Sequence, residues 1–275
     1  MYSRVYVEIG NICNRACTFC PTLKRKRGQM PLERFKYIAD ELLPVTRYLY
    51  LHVMGEPLLH PELCEMISYA SEKGHKVAIT TNGTLLPKRR DLLSSGVYKV
   101  NISLHSFENG TNEEYLEYIN GCLDFADEAS GMGILVVLRL WNNGYDEGRN
   151  IDTLAMAKEK FKDDEWVTSP HGARIRHKLH VEHGERFDWP SLDACDMGDE
   201  VFCYGLRDHF GILYDGTVIP CCLDREGDIP LGNIFSTPIN EILSCERAAK
   251  MKNGFDRRHA TEKLCRKCGY ARRFK

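Results

Sequence analysis

Three cysteines stand close together near the start of the chain, in the run Cys13-Asn-Arg-Ala-Cys17-Thr-Phe-Cys20. Iron–sulfur clusters are held by cysteine thiolates, usually four of them. Three thiolates on one short loop can bind three irons of a four-iron cluster and leave the fourth iron open for chemistry. A structural zinc site is the alternative, but such sites close with four ligands, and no fourth ligand lies nearby in the sequence. The spacing therefore predicts a reactive [4Fe–4S] cluster.

The elements around this loop alternate between short apolar strands and amphipathic helices. The candidate strands cover 4–10, 47–53, 76–80, 98–104, 133–140 and 173–181, and the candidate helices cover 31–43, 61–73, 84–95, 112–130 and 150–161; a hairpin at 210–219 and a helix at about 238–252 follow. Strand–helix alternation is typical of a parallel sheet with crossover helices. Five or six such units form a partial barrel, in which the chemistry lies at the C-terminal ends of the strands. The cysteine loop follows the first strand on that side.

Composition limits the class of protein. The 275 residues are 43% hydrophobic and 28% charged, with a formal net charge of −2. These values are typical of a globular protein and not of one that coats nucleic acid or anionic membrane. No apolar run approaches the roughly 20 residues that span a bilayer. Twelve cysteines in a chain that begins almost at once with a strand favour metal ligation over disulfides. We therefore expect a cytoplasmic protein with no membrane or nucleic-acid partner.

The cysteine motif after the first strand resembles that of the radical S-adenosylmethionine (SAM) enzymes. The resemblance implies an α/β fold, a partial (β/α)6 barrel over residues 1–185, in which the open iron chelates the amino and carboxylate groups of SAM. It also implies that one electron cleaves SAM to methionine and a 5′-deoxyadenosyl radical. An external reductant such as flavodoxin or ferredoxin would deliver that electron. The protein's task is then to hold SAM and substrate together while the cofactors carry out the hard chemistry.

The run Met54-Gly55-Glu56-Pro57 follows the second strand and resembles the family's Gly-Gly-Glu motif. In the family, the backbone and glutamate of this motif meet the SAM amino group, so Gly55, Glu56 and Pro57 are predicted to bind SAM. An ammonium group requires exposed carbonyl oxygens and a nearby negative charge. Met54 departs from the pattern, because it replaces the first glycine. An ordinary turn is the alternative explanation.

Four more positions are candidates for contact with SAM: Phe19, Asn82, Ser103 and Arg139. Asn82 ends the third strand, where the family has a similar pattern, and Ser103 matches a serine that contacts the SAM carboxylate or ribose. Arg139 stands in for an arginine that many relatives carry after strand four, because a guanidinium fork suits a carboxylate. Phe19 resembles an aromatic residue whose backbone faces the adenine. Each position also has a structural alternative. Asn82 could form a turn, Ser103 could be satisfied by the backbone, and Arg139 could form an ion pair. Phe19 could pack over the cluster.

A second set of cysteines lies near the C-terminus: Cys203, Cys221, Cys265 and Cys268. This set resembles an auxiliary-cluster extension that is called SPASM in its long form and twitch in its short form. Because the chain continues only seven residues beyond Cys268, the resemblance implies the short form, a β-hairpin plus helix over 195–275 that closes one further [4Fe–4S] cluster. A structural zinc site with four cysteine ligands is the alternative. Cys195 could also replace Cys203 as a ligand.

These features predict a radical SAM enzyme with two [4Fe–4S] clusters, SAM, and a small molecule or peptide as substrate. We predict oxidation (dehydrogenation) of a small molecule such as a sugar or cyclitol, with the auxiliary cluster as electron acceptor. Cys222 adjoins a proposed ligand and could instead donate a hydrogen atom, which would make the enzyme an epimerase. Maturation of a ribosomally made peptide, or a non-catalytic zinc or iron–sulfur binding module, are further alternatives. His105, Tyr204 and Asp224 could touch the substrate.

Overall fold

The computed structural model describes residues 1–274, in which a single large sheet is covered by helices. The strands are β1 (Arg4–Val7), β2 (Tyr48–Tyr50), β3 (Lys76–Thr81), β4 (Lys99–Ser103), β5 (Leu135–Asn143), β6 (Val167–Ser169), β7 (Gly172–Arg176), β8 (Leu179–Glu185), β9 (His209–Ile212), β10 (Thr217–Ile219) and β11 (Gly232–Asn233). The helices are α1 (Leu32–Leu42), α2 (Leu63–Glu72), α3 (Asn112–Gly131), α4 (Arg149–Lys160), α5 (Ile239–Ser244), α6 (Glu246–Asp256) and α7 (Lys263–Arg266).

The sheet has the strand order β11-β10-β9-β1-β2-β3-β4-β5-β8-β7-β6. The seven central strands, from β9 to β8, pair in parallel, and β10, β11, β7 and β6 are antiparallel additions at the two edges. The sheet does not close on itself, so the predicted α/β partial barrel is confirmed. Among the helices of residues 1–274, none is long and apolar enough to cross a membrane.

The strands have one face toward the helices and one toward the barrel interior. In α1, Phe35, Ile38, Ala39 and Leu42 are fully buried, at the spacing that places apolar residues on one face of a helix. Strand residues alternate between two faces. As a result, polar residues at alternate positions of β1 to β5 point into the barrel instead of into the apolar core.

Two predicted elements were wrong in detail. The helix predicted at 84–95 is two short 3₁₀ turns, Leu86–Lys88 and Arg90–Ser94, because Pro87 has no N–H to donate in an α-helix that begins near Thr84. The strand predicted at 173–181 is the hairpin β7–β8, which turns at Lys178 with φ +72°. The sixth parallel strand of the barrel is therefore β8, which pairs with β5.

The C-terminal extension continues the barrel sheet. The predicted hairpin is β9–β10, and the predicted helix is divided into α5 and α6. Because β9 pairs in parallel with β1 and β10 runs antiparallel to β9, the chain leaves β10 at the end of the barrel opposite the first cysteine loop. The division into a core at 1–185 and an extension at 195–275 remains our proposal; the two segments share one sheet.

Candidate active site

The loop after β1 carries the first cysteine set to the C-terminal ends of the central strands. The Cys17 thiol lies 3.6 Å from the Ser106 carbonyl, just beyond β4. The Cys13 sulfur lies 3.8 Å from the side-chain amide of Asn82, just beyond β3. Burial raises the pKa of Cys17 to about 11. Since the thiolate is the form that binds iron, cluster binding has to release this proton.

Side chains from β3 and from the segment after β4 hold the cysteine loop. The Glu108 carboxylate accepts hydrogen bonds from the backbone N–H and the hydroxyl of Thr18, both at 2.5 Å. The Asn82 amide donates to Asn14 at 2.9 Å, and Asn14 donates to the Thr84 hydroxyl at 2.9 Å. Glu108 was missed by sequence reasoning, because nothing local connects it with a loop ninety residues earlier. Asn82 lies beside the cysteine loop in the structure; its contact with SAM remains a prediction.

Gly55 and Glu56, in the turn after β2, contact the start of the cysteine loop. Gly55 has φ +84°, and a Cβ at this position would lie 2.6 Å from the Gly10 carbonyl oxygen. The backbone N–H of Glu56 donates to the Ile12 carbonyl at 2.9 Å. These contacts allow the turn after β2 to approach the cysteine loop closely, which only glycine permits.

The Glu56 carboxylate is occupied by hydrogen bonds from the protein itself. It accepts from the Thr81 hydroxyl and the Asn82 N–H at 2.7 Å each, and from the Leu58 N–H at 3.0 Å. Burial raises its pKa, while these hydrogen bonds lower it. Pro57 is buried at the start of a 3₁₀ turn that Glu56 caps. The Glu56 carboxylate therefore holds the turn after β2 against the end of β3. Binding of the SAM amino group by this motif remains a prediction.

A cavity of about 660 Å³ occupies the barrel interior and extends to the C-terminal extension. Its wall includes predicted SAM contacts, possible substrate contacts and the whole second cysteine set: Phe19, Ser103, Arg139, His105, Tyr204, Asp224, Cys222, Cys203, Cys221, Cys265 and Cys268. The cysteines of the first set, Cys13, Cys17 and Cys20, are not in this wall. Gly55, Glu56, Pro57 and Asn82 are not among the residues that line it. Its size is in the range of ligand-binding pockets, so it is the candidate site for substrate and for the reactive part of SAM.

Ser103 and Arg139 are paired in register on β4 and β5 and both face the cavity. The guanidinium of Arg139 lies 4.4 Å from the Trp141 ring centroid and 3.5 Å from the Glu182 carboxylate. His105 connects β5 to the cysteine loop, because its Nδ1 lies 3.0 Å from the Arg139 carbonyl oxygen and its ring lies 5.1 Å from the Phe19 ring. Burial lowers the pKa of His105 to about 4, so the imidazole is neutral at pH 7.

The second cysteine set converges where the chain leaves β10, opposite the first loop. Cys221, Cys265 and Cys203 each have a raised pKa, first because of burial and then because of the charges of the other cysteines in the set. The Gly205 N–H donates to the Cys203 sulfur at 3.3 Å. Cys195 is exposed and does not line the cavity. The four cysteines predicted from the sequence thus lie on one cavity wall, and Cys195 does not. Their binding of a cluster remains a prediction.

The zinc hypothesis and the cluster hypothesis make different demands on the four sulfurs. A zinc ion holds its sulfur ligands about 2.3 Å from one centre, whereas each cysteine of an iron–sulfur cluster binds a different iron. Within residues 1–274, no group of three or more His, Cys, Asp or Glu side chains is close enough to hold a single metal ion.

Cys222 packs with a small apolar group that includes Tyr6 and Trp189. Burial raises its pKa to about 11, against a lowering contact with the Tyr6 hydroxyl. Cys222 therefore lines the cavity as a thiol. Tyr6, Arg4 and His52 line the same cavity and were missed by sequence reasoning. The alternation of β1 and β2 was the available signal, since these residues share the interior face.

Comparison with known proteins agrees with this geometry. The family model of the radical SAM superfamily matches residues 7–171, and the model of SPASM, an iron–sulfur cluster-binding domain, matches residues 203–269. A tungsten-containing aldehyde ferredoxin oxidoreductase cofactor-modifying protein of Pyrococcus furiosus is 31% identical over 42% of this chain and 34% of its own length. An S-adenosyl-L-methionine-dependent 2-deoxy-scyllo-inosamine dehydrogenase of Niallia circulans is 30% identical over 38% of this chain and 46% of its own length.

A solved structure, of BtrN in complex with AdoMet and 2-DOIA, has the same fold. It superimposes with a TM-score of 0.62 at 18% identity and covers 98% of this chain and 93% of its own. The curated relatives are matched over only about a third to a half of their lengths, so the similarity establishes the family and not the substrate. The matched families imply a SAM-binding [4Fe–4S] cluster and an auxiliary iron–sulfur cluster. The chain belongs to the radical SAM superfamily and has a C-terminal SPASM/twitch extension.

Proposed function

We propose that this radical SAM enzyme dehydrogenates a small molecule, such as a sugar or cyclitol whose alcohol becomes a ketone. The observation that carries the proposal is a cavity that reaches from the first cysteine loop to the second cysteine set. Its wall includes Phe19 from the first cysteine loop and all four cysteines of the second set. A substrate in this cavity would lie between the source of the radical and a fully ligated cluster. The similarity to the dehydrogenase of Niallia circulans supports the same reaction class.

The reaction requires three transfers from the substrate. Oxidation of an alcohol to a ketone removes one hydrogen atom, one electron and one proton. When bound, SAM and the two clusters supply a 5′-deoxyadenosyl radical and an electron acceptor, with an external reductant such as flavodoxin or ferredoxin as the electron source. His52 and His105 line the cavity, and burial lowers the pKa of His52 to about 3 and that of His105 to about 4. Both are neutral at pH 7 and are weak bases, so they serve the substrate as hydrogen-bonding groups and the proton is released to solvent.

The remaining task of the chain is to exclude water from a radical. Aromatic rings cover the side of the cavity next to the extension. Phe187 lies 5.5 Å from Trp189 and 5.1 Å from Tyr270, and Phe274 lies 5.6 Å from Tyr270, as centroid distances. A continuous aromatic wall of this kind keeps solvent away from the reacting carbon.

Epimerisation is the second candidate, because Cys222 lines the cavity as a thiol. A thiol that gives a hydrogen atom to a substrate radical returns the substrate at the same oxidation level with inverted stereochemistry. The two reactions therefore differ in their products. A dehydrogenase yields a product lighter by two hydrogens, whereas an epimerase yields an isomer that carries one solvent-derived hydrogen.

The test uses anaerobically reconstituted enzyme with SAM, dithionite and a panel of cyclitols and sugars in deuterated buffer. We expect a product lighter by two hydrogens, formed equally by the wild type and by Cys222→Ala. The matched control is Cys195→Ala, which removes an exposed thiol outside the cavity. A deuterated isomer that disappears in Cys222→Ala while SAM is still consumed would show an epimerase and refute the dehydrogenase proposal.

A further inference from the structure

Two arginine side chains inside the barrel keep a guanidinium nitrogen without a hydrogen bond. The Nε atoms of Arg4 and Arg139 are buried and find no hydrogen-bond partner among residues 1–274. Arg139 forms an ion pair with Glu182, whose carboxylate lies 3.5 Å from the Arg139 Nε without hydrogen-bond geometry. Removing a charge from water is costly unless the charge is paired and hydrogen-bonded. Both guanidinium groups therefore have hydrogen-bonding capacity left for a ligand from outside the chain.

The two guanidinium groups face the same space. The Arg4 guanidinium carbon lies 6.0 Å from the Tyr6 ring centroid and 5.8 Å from the Tyr50 ring centroid. The same two tyrosines act electrostatically on Arg139. The charges of both arginines also help to lower the pKa of His52. Arg4, Arg139, Tyr6, Tyr50 and His52 all line the cavity.

The other charged groups of the cavity do not neutralise this region. The Asp224 carboxylate accepts hydrogen bonds from the backbone N–H groups of Asp228 and Ile229, at 2.8 and 2.9 Å. Asp208 lies at the start of β9, with its nearest described cation 4.0 Å away on Arg207. Arg186, the third arginine of the cavity wall, lies over the Phe19 and Tyr145 rings near the first cysteine loop.

We propose that the substrate carries an anionic group, a carboxylate or a phosphate, which Arg4 and Arg139 bind inside the barrel. A guanidinium fork pairs with either anion through two parallel hydrogen bonds. The rings of Tyr6, Tyr50 and Trp141 would contact the body of the molecule, and the anion would fix which carbon faces the SAM end of the cavity. This inference rests on the proposed function for the location of the substrate and adds the chemical class of the substrate.

Binding to the reconstituted holoenzyme, measured by anaerobic calorimetry without reductant, tests this inference independently of turnover. The probes are cyclohexanecarboxylate, cyclohexyl phosphate and the neutral cyclohexylmethanol. Hydrogen bonds to a charged group contribute about 1.5–3 kcal/mol, so we expect at least one anion to bind about 10- to 100-fold more tightly than the alcohol. The better of the two anions identifies the headgroup.

The variants are Arg4→Gln and Arg139→Gln, with Arg257→Gln as a control that removes an exposed positive charge from α6's end. We expect each cavity variant to lose the anion preference and the control to keep it. If the glutamine variants fail to load their clusters, Arg4→Lys and Arg139→Lys replace them. These variants retain the charge without the fork and should bind the anionic probes with an affinity between those of the wild type and the neutral probe.

Three results would overturn the inference. The first is equal binding of anionic and neutral probes by the wild type. The second is a loss of SAM affinity in Arg139→Gln with unchanged probe affinity, which would assign Arg139 to the SAM carboxylate. The third is a shifted reduction potential of the auxiliary cluster in Arg4→Gln with unchanged probe affinity, which would assign Arg4 to that cluster. A failure to oxidise any alcohol would refute the proposed function and leave the measured anion preference intact.

Discussion

Gly55 provides a sharp test of how the turn after β2 supports the first cysteine loop. Its φ of +84° is in the left-handed region, and a Cβ would lie 2.6 Å from the Gly10 carbonyl oxygen and 2.9 Å from the Asn11 Cα. Both contacts are with backbone atoms, so a side chain cannot move aside to relieve them. Gly55→Ala must therefore displace the start of the cysteine loop.

Gly74 offers a matched control. It has φ +99°, but a Cβ at this position meets nothing within 4 Å. The left-handed conformation costs an alanine about 1–2 kcal/mol at either position. Overpacking against fixed atoms adds about 1–3 kcal/mol, and only at Gly55. We expect a total destabilisation of about 2–5 kcal/mol for Gly55→Ala, concentrated at the cysteine loop.

The assay is the iron content of each variant after anaerobic reconstitution, together with the formation of 5′-deoxyadenosine. Gly74→Ala should keep about eight irons per chain and wild-type SAM cleavage, since both clusters are intact. Gly55→Ala should retain about four irons, those of the auxiliary cluster, and lose most SAM cleavage. Full iron content and full SAM cleavage in Gly55→Ala would refute the reasoning.

Two further predictions concern buried and loop carboxylates. Glu108→Ala removes both hydrogen bonds to Thr18 and should speed the loss of the SAM-binding cluster to a chelator several-fold. Glu117→Ala, at an exposed position, is the neutral control. Equal rates of cluster loss would show that Glu108 does not hold the loop. Burial raises the pKa of Glu8 to about 7 in spite of its ion pair with Arg25. Its contribution to the free energy of unfolding is then complete below about pH 4.5 and lost as the pH rises through 7, by at most about 3 kcal/mol. Glu8→Gln should flatten this decline in anaerobic urea unfolding between about pH 5 and 7.5, and an unchanged slope would contradict the assignment.

Local sequence signals predicted the elements of the barrel and the two cysteine sets. Apolar alternation predicted strands β1 to β5, and the spacing of Cys13, Cys17 and Cys20 predicted a [4Fe–4S] cluster with one open iron. The α-helix predicted at 84–95 was wrong because Pro87 interrupts it, which leaves two 3₁₀ turns. The hairpin β7–β8 was missed because its turn depends on Lys178 in a left-handed conformation, which lysine rarely adopts.

Long-range contacts could not be predicted from local pattern. The parallel pairing of β9 with β1 joins segments two hundred residues apart and determines that Cys222 lies beside Tyr6. The motif around Glu56 was recognised, but its carboxylate bonds to Thr81 and Asn82 became visible only when β2 and β3 were placed side by side. The Nε atoms of Arg4 and Arg139 that lack a hydrogen bond became visible in the same way, because the two residues lie on separate strands that share the interior face.

The central claim is that the first cysteine set holds the SAM-cleaving cluster and the second set holds a separate cluster. The most direct test measures iron, zinc and 5′-deoxyadenosine in the wild type and in two variants, Cys13→Ala with Cys17→Ala, and Cys203→Ala with Cys221→Ala. We predict about eight irons and no zinc in the wild type, and about four irons in each variant. SAM cleavage should be abolished by the first pair of substitutions and retained in the second. Zinc without iron, or 5′-deoxyadenosine formed by the first variant, would contradict the account.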